Sequence, residues 1–368
     1  MQIRLNNVYL IIWKKENNMK IAIDCRMINM SGIGSYLRGV LKHIITHNTN
    51  RYVLLGNRQE LEIYEKYHNC VIEHTDIPIF SLKELFHFPV NIVNSCDCFY
   101  TPNYNIPLGI RIPIYSTIHD VVFLDIPHLT SFVGKLVRYV YLKRSYVISK
   151  IIFTVSEYSK ERIFAHLGKN NKKVVVTYNG VSESFSEYES NTQKGDYFLF
   201  VGNIKAHKGI KTLLSAFNKL RESDSNVRLR VVGDYRNFQT TDKDVQQLID
   251  NQLNNNDLIF TGKVDDKTLK KIMSEAKVLI QPSLYEGFGI PPLESMYLGT
   301  PVIMSDIPVF KELYSDFPVT FFHVNDVDDL CNKMRMENGD RVFLTYGQKM
   351  KYSYLNSANL IMQTITSQ

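Results

Sequence analysis

Short apolar runs alternate with amphipathic stretches along nearly the whole chain. "KIAIDCRM" reads as a buried strand ending in polar residues, and "MSGIGSYLRGVLKHIITH" as a glycine-rich turn that leads into an amphipathic helix. "RYVLLGN" and "IPIYSTIHDVVF" are further strands, the second broken by His119 and Asp120. "KIIFTVSEYSKERIFAHLG" repeats the form, with a strand, a serine at the turn, a helix and Gly168 as C-cap. "KVVVTYNGV" closes the first half. Next comes "ESFSEYESNTQKGD", which is polar and nearly free of aliphatic residues, as a linker is. "YFLFVGN", "VRLRVVGD", "LIFTGKV" and "KVLIQPS" then restart the strands, with helices through "HKGIKTLLSAFNKLRES", "DKTLKKIMSEA" and "PPLESMYLG". Strands alternating with helices on both sides of a linker predict two doubly wound α/β domains with parallel sheets. In such sheets ligands bind beyond the carboxyl ends of the strands, so two of them face each other across a cleft.

The expected division is 19–182 for the first Rossmann-like domain, 183–196 for the linker and 197–345 for the second. A C-terminal helical segment, 346–368, follows. Met19 opens "MKIAID" as a second candidate start, so residues 1–18 read as an N-terminal extension. Hydrophobic residues at 44% and charged residues at 22% describe a globular chain rather than a disordered one. A net charge of +6 is too mild to imply a nucleic-acid partner. The five cysteines, at 25, 70, 96, 98 and 331, show no CxxC spacing. That argues against a disulfide framework or a zinc site and points to a reducing, cytoplasmic compartment. The apolar "VYLIIW" near the start is too short to cross a bilayer.

The densest chemistry lies in "QPSLYEGFGIPPLESMYLGTPVI", residues 281–303, where Glu286 and Glu294 stand seven residues apart. "KVLIQPS" supplies a buried strand, "LYEGFG" the loop at its carboxyl end, and Pro291 and Pro292 suit the first turn of a helix. Gly287 and Gly289 allow a ligand close to the backbone, and the N–H groups from Phe288 to Ile290 can receive an anionic oxygen. Glu294 suits the two hydroxyls of a ribose; Glu286 suits either a second polyol or the balancing of positive charge. A single glutamate at a helix start is more often just a dipole-favoured acid; the pair around "GFG" is not explained that way. Lys208, in "GNIKAHKG", stands where a strand yields to a helix and meets phosphate as a point charge. Alone, it would read as a solvated lysine. Gly32 and Gly34 begin a dinucleotide fingerprint, but its third glycine falls on Leu37, which weighs against an oxidoreductase. Asp326-Val-Asp328 reads as a helix start rather than a metal-binding pair.

"EGFGIPPLE" resembles the E-x7-E signature of retaining glycosyltransferases with the GT-B fold, specifically glycosyltransferase family 4. The resemblance runs from about Lys20 to the C-terminus and includes "DCRMINMSGIGSYL", "IHD", "TVSEYSKERI", "YNGV", "FVGNIKAHKGIKTLLSAF" and "LGTPVIMSDIPVFKEL". "YSYLNSANLI" is similar to the final helix that, in this fold, crosses back to the first domain. The resemblance implies a metal-independent hexosyltransferase with no cofactor beyond its nucleotide-diphosphate sugar. In it Glu294 binds the ribose, Lys208 the diphosphate, and Phe288, Gly289 and Ile290 supply backbone contacts. Glu286 holds sugar hydroxyls and steadies charge at the anomeric centre, while His119 orients the sugar from the other domain. Gly32, Gly34, Asn203, His207 and Val264 complete the implied donor site. His207 stands where the family carries arginine, with Lys205 able to compensate.

"DCRM…GIGSYL" with "NIKAHKG" is most similar to bacterial mannosyltransferases of O-antigen or capsule assembly. This implies GDP-mannose as donor and a glycan or lipid-linked oligosaccharide as acceptor. Ile126 to Lys150 holds five basic residues (Lys135, Arg138, Lys143, Arg144 and Lys150), several aromatics and no acid. It reads either as a helix with a solvated basic face or as a peripheral contact with the inner face of a membrane. Two rivals stay open. One is a sugar-nucleotide 2-epimerase of the same fold; the other is a catalytically weak sugar-nucleotide-binding protein.

Overall fold

The computed structural model describes residues 18–46, 49–127, 129–170, 173–186, 188, 194–233 and 257–367. The expected extension, bar Asn18 at its edge, and the linker positions 187 and 189–193 lie outside the described residues.

The first sheet is built from β1 (Lys20–Asp24), β2 (Arg51–Gly56), β3 (Cys70–His74), β4 (Cys98–Thr101), β5 (Ile114–Thr117), β6 (Ile151–Thr154) and β7 (Val174–Val176). Among the described residues the strands run parallel in the order β3-β2-β1-β4-β5-β6-β7. Both faces are covered, as a parallel sheet requires. In β1, Ile21 and Ile23 face one apolar cluster with the helix Ile33–Thr46, while Ala22 joins Val53, Leu55 and Phe99 on the other side. The second sheet comprises β8 (Phe198–Val201), β9 (Leu229–Val232), β10 (Leu258–Gly262), β11 (Val278–Gln281), β12 (Val302–Ser305) and β13 (Val319–Phe322). Its order is β10-β9-β8-β11-β12-β13, again parallel.

The C-terminal helix Tyr354–Thr366 returns to the first domain and packs on Ile33–Thr46. Gly39 makes the crossing close: a Cβ there would stand 2.3 Å from the Tyr354 ring. Ala358, Ile361 and Ile365 are buried in the same apolar cluster that contains Leu37, Leu41 and, from the second domain, Phe288 and Phe310. Each such fully buried aliphatic side chain stabilises the association by roughly 1.5–3 kcal/mol.

The strand expected through "IPIYSTIHDVVF" ends at Thr117, and Val122–Asp125 is a helical turn. The Asp120 carboxylate accepts the Val122 N–H at 3.1 Å, which closes the chain into that turn. The capping expectations hold: Ser156 Oγ accepts from Ser159 N at 3.0 Å, and Gly168, at φ 92°, ends the helix Glu157–Leu167.

Candidate donor and acceptor cleft

In each sheet the strand order reverses beside the first strand of its domain, between β1 and β4 and between β8 and β11. A crevice opens beyond the carboxyl ends of strands at such points. Here the two crevices merge into one cleft of about 960 Å³. Gly32 reaches it from the loop after β1, His119 from after β5, Asn203, His207 and Lys208 from after β8, and Val264 from after β10. Glu286, Phe288, Gly289, Ile290 and Glu294 come from the segment after β11. Gly34 does not line the cleft. A Cβ on it would meet the carbonyl oxygens of Ile28 at 2.5 Å and Met27 at 2.8 Å, so this glycine lets the helix start pack on the preceding turn.

Glu286 is buried, and both of its oxygens lie 2.7 Å from Lys208 Nζ. Gln281 Nε2 and Ser283 Oγ also donate to it, at 3.1 and 2.8 Å. Burial pushes this carboxyl up, but the Lys208 charge and the hydrogen bonds from Lys208 and Ser283 outweigh it and hold it below its ordinary value. The turn carrying Lys208 is pinned on the same loop. Leu284 N donates to the His207 carbonyl, and Gly209, at φ 70°, lies so close to Pro282 that a Cβ would meet its carbonyl oxygen at 1.8 Å.

Glu294 is the opposite case. It is half-buried and has no hydrogen-bond partner among the described residues. Burial, then the nearby charge of Asp266, pushes its carboxyl up to about 7. Between the two acids, Gly289 takes a left-handed conformation at φ 91° and its carbonyl accepts from Tyr314 Oη at 2.7 Å. The N–H groups of Phe288, Gly289 and Ile290 donate to no acceptor among the described residues. The Phe288 ring itself is buried against Tyr314 and Tyr352, so only its backbone serves the cleft.

His119 Nε2 lies 3.1 Å from the Pro102 carbonyl, which can only accept, so the proton sits on Nε2 and Nδ1 is left as an acceptor. Burial pulls its pKa down to about 4 despite that bond, which makes the ring neutral. Tyr36 packs edge-on against it, with centroids 4.9 Å apart. Asp120 is occupied by Val122 N and does not set the histidine tautomer. His207 is also neutral, drawn to about 4 by burial and then by Lys208, so it brings no cation to the site. Lys205, which lines the cleft, is lowered by burial first and by Lys208 second.

The walls touch where Ser156 Oγ donates to the Gly287 carbonyl at 2.7 Å and where Asn203 Nδ2 donates to Ser31 Oγ at 2.8 Å, while within the first domain Ser159 Oγ donates to the His119 carbonyl at 3.0 Å. Glu312, from the second domain, accepts the N–H groups of Glu157 and Tyr158 at the start of a first-domain helix. A Cβ at Gly287 would stand 2.6 Å from the His119 carbonyl oxygen, so glycine is needed for this approach.

Sequence reasoning missed several groups in this cleft. Asn103 Nδ2, Asn179 Oδ1 and Gln281 Oε1 are buried there without partners among the described residues, as is Nδ1 of His207, a residue already expected in this cleft. Buried polar atoms are nearly always satisfied, so each of these keeps hydrogen-bonding capacity that a bound group could fill. Gln281 had a visible signal, as a polar residue ending the apolar strand "KVLIQ". Asn179 lies in "YNGV", which belongs to the family resemblance, but nothing in the sequence singles it out. Among the described residues no group of three or more His, Cys, Asp or Glu is arranged to hold a metal, and Asp326 is a helix cap that accepts from Asp328 N and Asp329 N.

Two parallel-sheet domains facing across a cleft, with a final helix crossing back, define the GT-B class. Solved structures agree. The structure of Anabaena Alr3699/HepE in complex with UDP and glucose matches with a TM-score of 0.71 at 17% identity, covering 95% of this chain and 100% of that one. The lipopolysaccharide outer core galactosyltransferase WaaB, in its apo form, matches with a TM-score of 0.60 at 17% identity, over 95% of this chain and 99% of that one.

Residues 182–336 match the family model described as Glycosyl transferases group 1, and the chain carries a domain of that family. O-antigen chain mannosyltransferase RfbU of Salmonella typhimurium is 35% identical over 218 residues, 59% of this chain and 58% of that protein. O-antigen chain mannosyltransferase B of Escherichia coli is 27% identical, over 62% of each chain. The chain thus spans less than two thirds of the length of these curated relatives.

Proposed function

We propose that this protein is a retaining glycosyltransferase that moves a mannosyl group from GDP-mannose to a glycan acceptor in surface-polysaccharide assembly. The observation that carries the reading is the ordered wall around Glu286: an ionised carboxylate clamped on Lys208, then three unengaged N–H groups, then the unpartnered Glu294. A nucleoside-diphosphate sugar matches this series. Its ribose hydroxyls would donate to Glu294, and its diphosphate would take the N–H groups and Lys208. Its sugar hydroxyls would meet Gln281, Glu286 and the free Nδ1 of His119. The mannose assignment is supported by the names of the relatives similar to this chain.

In the reaction, the bond between the anomeric carbon and the diphosphate oxygen breaks, and its electron pair leaves with the nucleotide. The acceptor hydroxyl oxygen forms the new bond on the same face, and its proton passes to the departing diphosphate. Lys208 and the helix-start N–H groups act on the charge that grows on that diphosphate, the type of term that dominates many enzymes. Gln281 and Ser283 hold the Glu286 carboxylate in place before substrate arrives. The contact of Gly287 with His119 closes the cleft against water. The acceptor would enter by the first-domain side, past Asn103 and Tyr104, and this reading includes peripheral contact at the inner face of the cytoplasmic membrane.

Thermal-shift titration of GDP, UDP, dTDP and ADP with their sugars, with and without EDTA, tests the donor. Selective stabilisation by GDP and GDP-mannose, followed by transfer with the α-anomeric configuration kept, is the expected result. An isomerised nucleotide sugar formed without acceptor would replace this reading by an epimerase.

A further inference from the structure

Among the described residues, two that are not glycine hold a positive φ: Asn325 at 64° and Phe80 at 57°. Asparagine tolerates the left-handed region, whereas a side chain as large as phenylalanine is an outlier there. Phe80 is also 46% exposed, on the wall of the cleft. Neither backbone ease nor burial of its ring accounts for it. Strain kept at the wall of a cleft points to a ligand.

The conformation is imposed from beneath. Phe80 lies in the loop after β3, and its N–H donates to Glu84 Oε2 at 2.8 Å. Glu84 is buried; Asn105 Nδ2 donates to that same oxygen, and Arg26 Nη2 donates to Oε1 at 2.6 Å. Arg26 is itself clamped on Asp24 at 2.7 Å and donates to the Ile77 carbonyl at 3.2 Å. A buried charge cluster with this many partners gives the loop one arrangement. That arrangement turns the Phe80 ring toward Tyr104, with centroids 5.8 Å apart, and Tyr104 lies 6.1 Å from Phe123. All three rings line the cleft. Tyr104 follows Pro102, whose carbonyl holds His119 Nε2, so the aromatic wall is built beside that histidine. Next to it Asn103 is 3% exposed. Its Oδ1 accepts from Tyr104 N at 2.8 Å, and its Nδ2 has no partner among the described residues.

We propose that Phe80, Tyr104 and Asn103 form a subsite for one pyranose ring of the acceptor glycan. The C–H face of the sugar rests on the Phe80 and Tyr104 rings, and one of its hydroxyl oxygens accepts from Asn103 Nδ2. A pyranose has this two-sided chemistry, with C–H bonds on a face and hydroxyls around the rim. Its C–H hydrogens meet the negative faces of the aromatic rings. A prenyl chain would cover the same rings but leave the Asn103 N–H groups buried and unpaired, which is costly. Phe80 is thus held strained so that the platform exists before the sugar arrives, which cuts the ordering cost of binding. Arg26 and Glu84 are positioning residues, acting through the Phe80 backbone. The subsite rests on the proposed transferase reading for calling the bound ring an acceptor, and on the geometry alone for binding a sugar ring.

Saturation-transfer NMR on the full chain, with the methyl α-glycosides of mannose, glucose and galactose and with GDP present, tests it. At least one of them should take saturation chiefly on the C–H protons of one ring face. Phe80→Ala should weaken that glycoside by about tenfold, and Phe80→Trp should keep it within about twofold of the wild type. GDP affinity should be the same in all three proteins. Phe80→Gly should bind the glycoside as poorly as Phe80→Ala, yet its thermal midpoint should equal or exceed that of the wild type, because glycine meets no steric penalty at φ 57°. A ring that only filled space would lower the midpoint when removed, and that result would count against the subsite. Glycoside binding indifferent to Phe80, or no glycoside saturated by the wild type, would overturn it, and transfer from GDP-mannose in the same protein would leave the transferase reading standing. Binding that depends on Phe80 in a chain that turns over no nucleotide sugar would uphold the subsite and sink the transferase reading instead. If Phe80→Ala lost a prenyl phosphate and kept the glycoside, the occupant would be the lipid and the proposal would be wrong.

Discussion

The two glutamates seven residues apart behave as different chemical groups, although one loop carries both. Glu286 has every oxygen engaged, with Lys208, Gln281 and Ser283 donating to it, and is ionised before any ligand arrives. Glu294 has no partner among the described residues and holds its proton up to about pH 7. In the proposed reaction the first would lie where charge must not rearrange, with its field built in advance. The second lies where a ligand with its own donors can complete it. A buried acid without donors is costly until something supplies them, and a pair of hydroxyls does so.

The largest expected effect comes from breaking the organised side. Glu286→Gln should lower transfer kcat by about 10²–10³-fold, while GDP binding stays within about threefold or tightens, because Lys208 is released toward the diphosphate. Calorimetric titration beside a transfer assay separates the two, and equal losses in both would remove the role assigned to Glu286. Next is Gly287→Ala, whose methyl cannot coexist with the His119 carbonyl at 2.6 Å. Forcing the walls apart by a fraction of an ångström should cost roughly tenfold to 100-fold in transfer. Nucleotide affinity, which the proposed donor site places in the second domain, should change little; a matching loss of GDP affinity would show that the approach is not what matters.

Lys208→Ala should weaken GDP by about tenfold to 100-fold, the range for a hydrogen bond to a charged group. It should also let burial raise the Glu286 carboxyl, since the opposing cation is gone. Glu294→Gln is expected to cost about tenfold in GDP affinity, and its clearer signature is pH. In the free protein the Glu294 carboxyl, at about 7, lies above its ordinary 4.5. The folded chain therefore keeps a proton that the unfolded chain releases. The stabilisation this gives is complete below about 4.5 and is lost as pH rises through 7. A ribose needs the ionised acceptor, so wild-type GDP affinity should rise from about pH 6 to about pH 8, and the Glu294→Gln profile should be flat over that interval. Parallel slopes in the two proteins would mean that Glu294 is not the group that titrates.

How much of this was legible depended on whether a residue's partner was near in sequence. The Rossmann-like alternation was readable because the middles of β1, β2, β8 and β11 are buried on both faces and so carry apolar runs. Cys70–His74 lacks an apolar run because it is only partly buried, and the short apolar "FPVTFFHV" around Val319–Phe322 has no period that marks it as a strand. Cys98–Thr101 is buried but only four residues long, too short for a period to show. In the cleft, Glu286, Lys208, His119 and Glu294 could be named from motifs. Their pairing could not, because Lys208 and Glu286 are 78 positions apart and meet only after β8 and β11 lie side by side. The neutrality of His207 was hidden likewise, since it follows from burial under a loop far along the chain.

The smallest expected effect marks the edge of the site. Asp326 and Asp328 have the spacing of a metal-binding pair, yet Asp326 accepts the N–H groups of Asp328 and Asp329 and caps the helix Val327–Met336. Lys219 pairs with Asp328 at the surface, where such a contact is worth little. Asp326→Ala should therefore lower stability by about 1 kcal/mol and the thermal midpoint by a few degrees, roughly 2–4 °C. Transfer and GDP affinity should match the wild type at a temperature where both proteins are folded. A cap acts on its own helix and leaves chemistry alone. A loss of turnover that manganese or magnesium restores would instead make the pair part of the reaction, and the contrast between the two glutamates would then no longer describe the whole site.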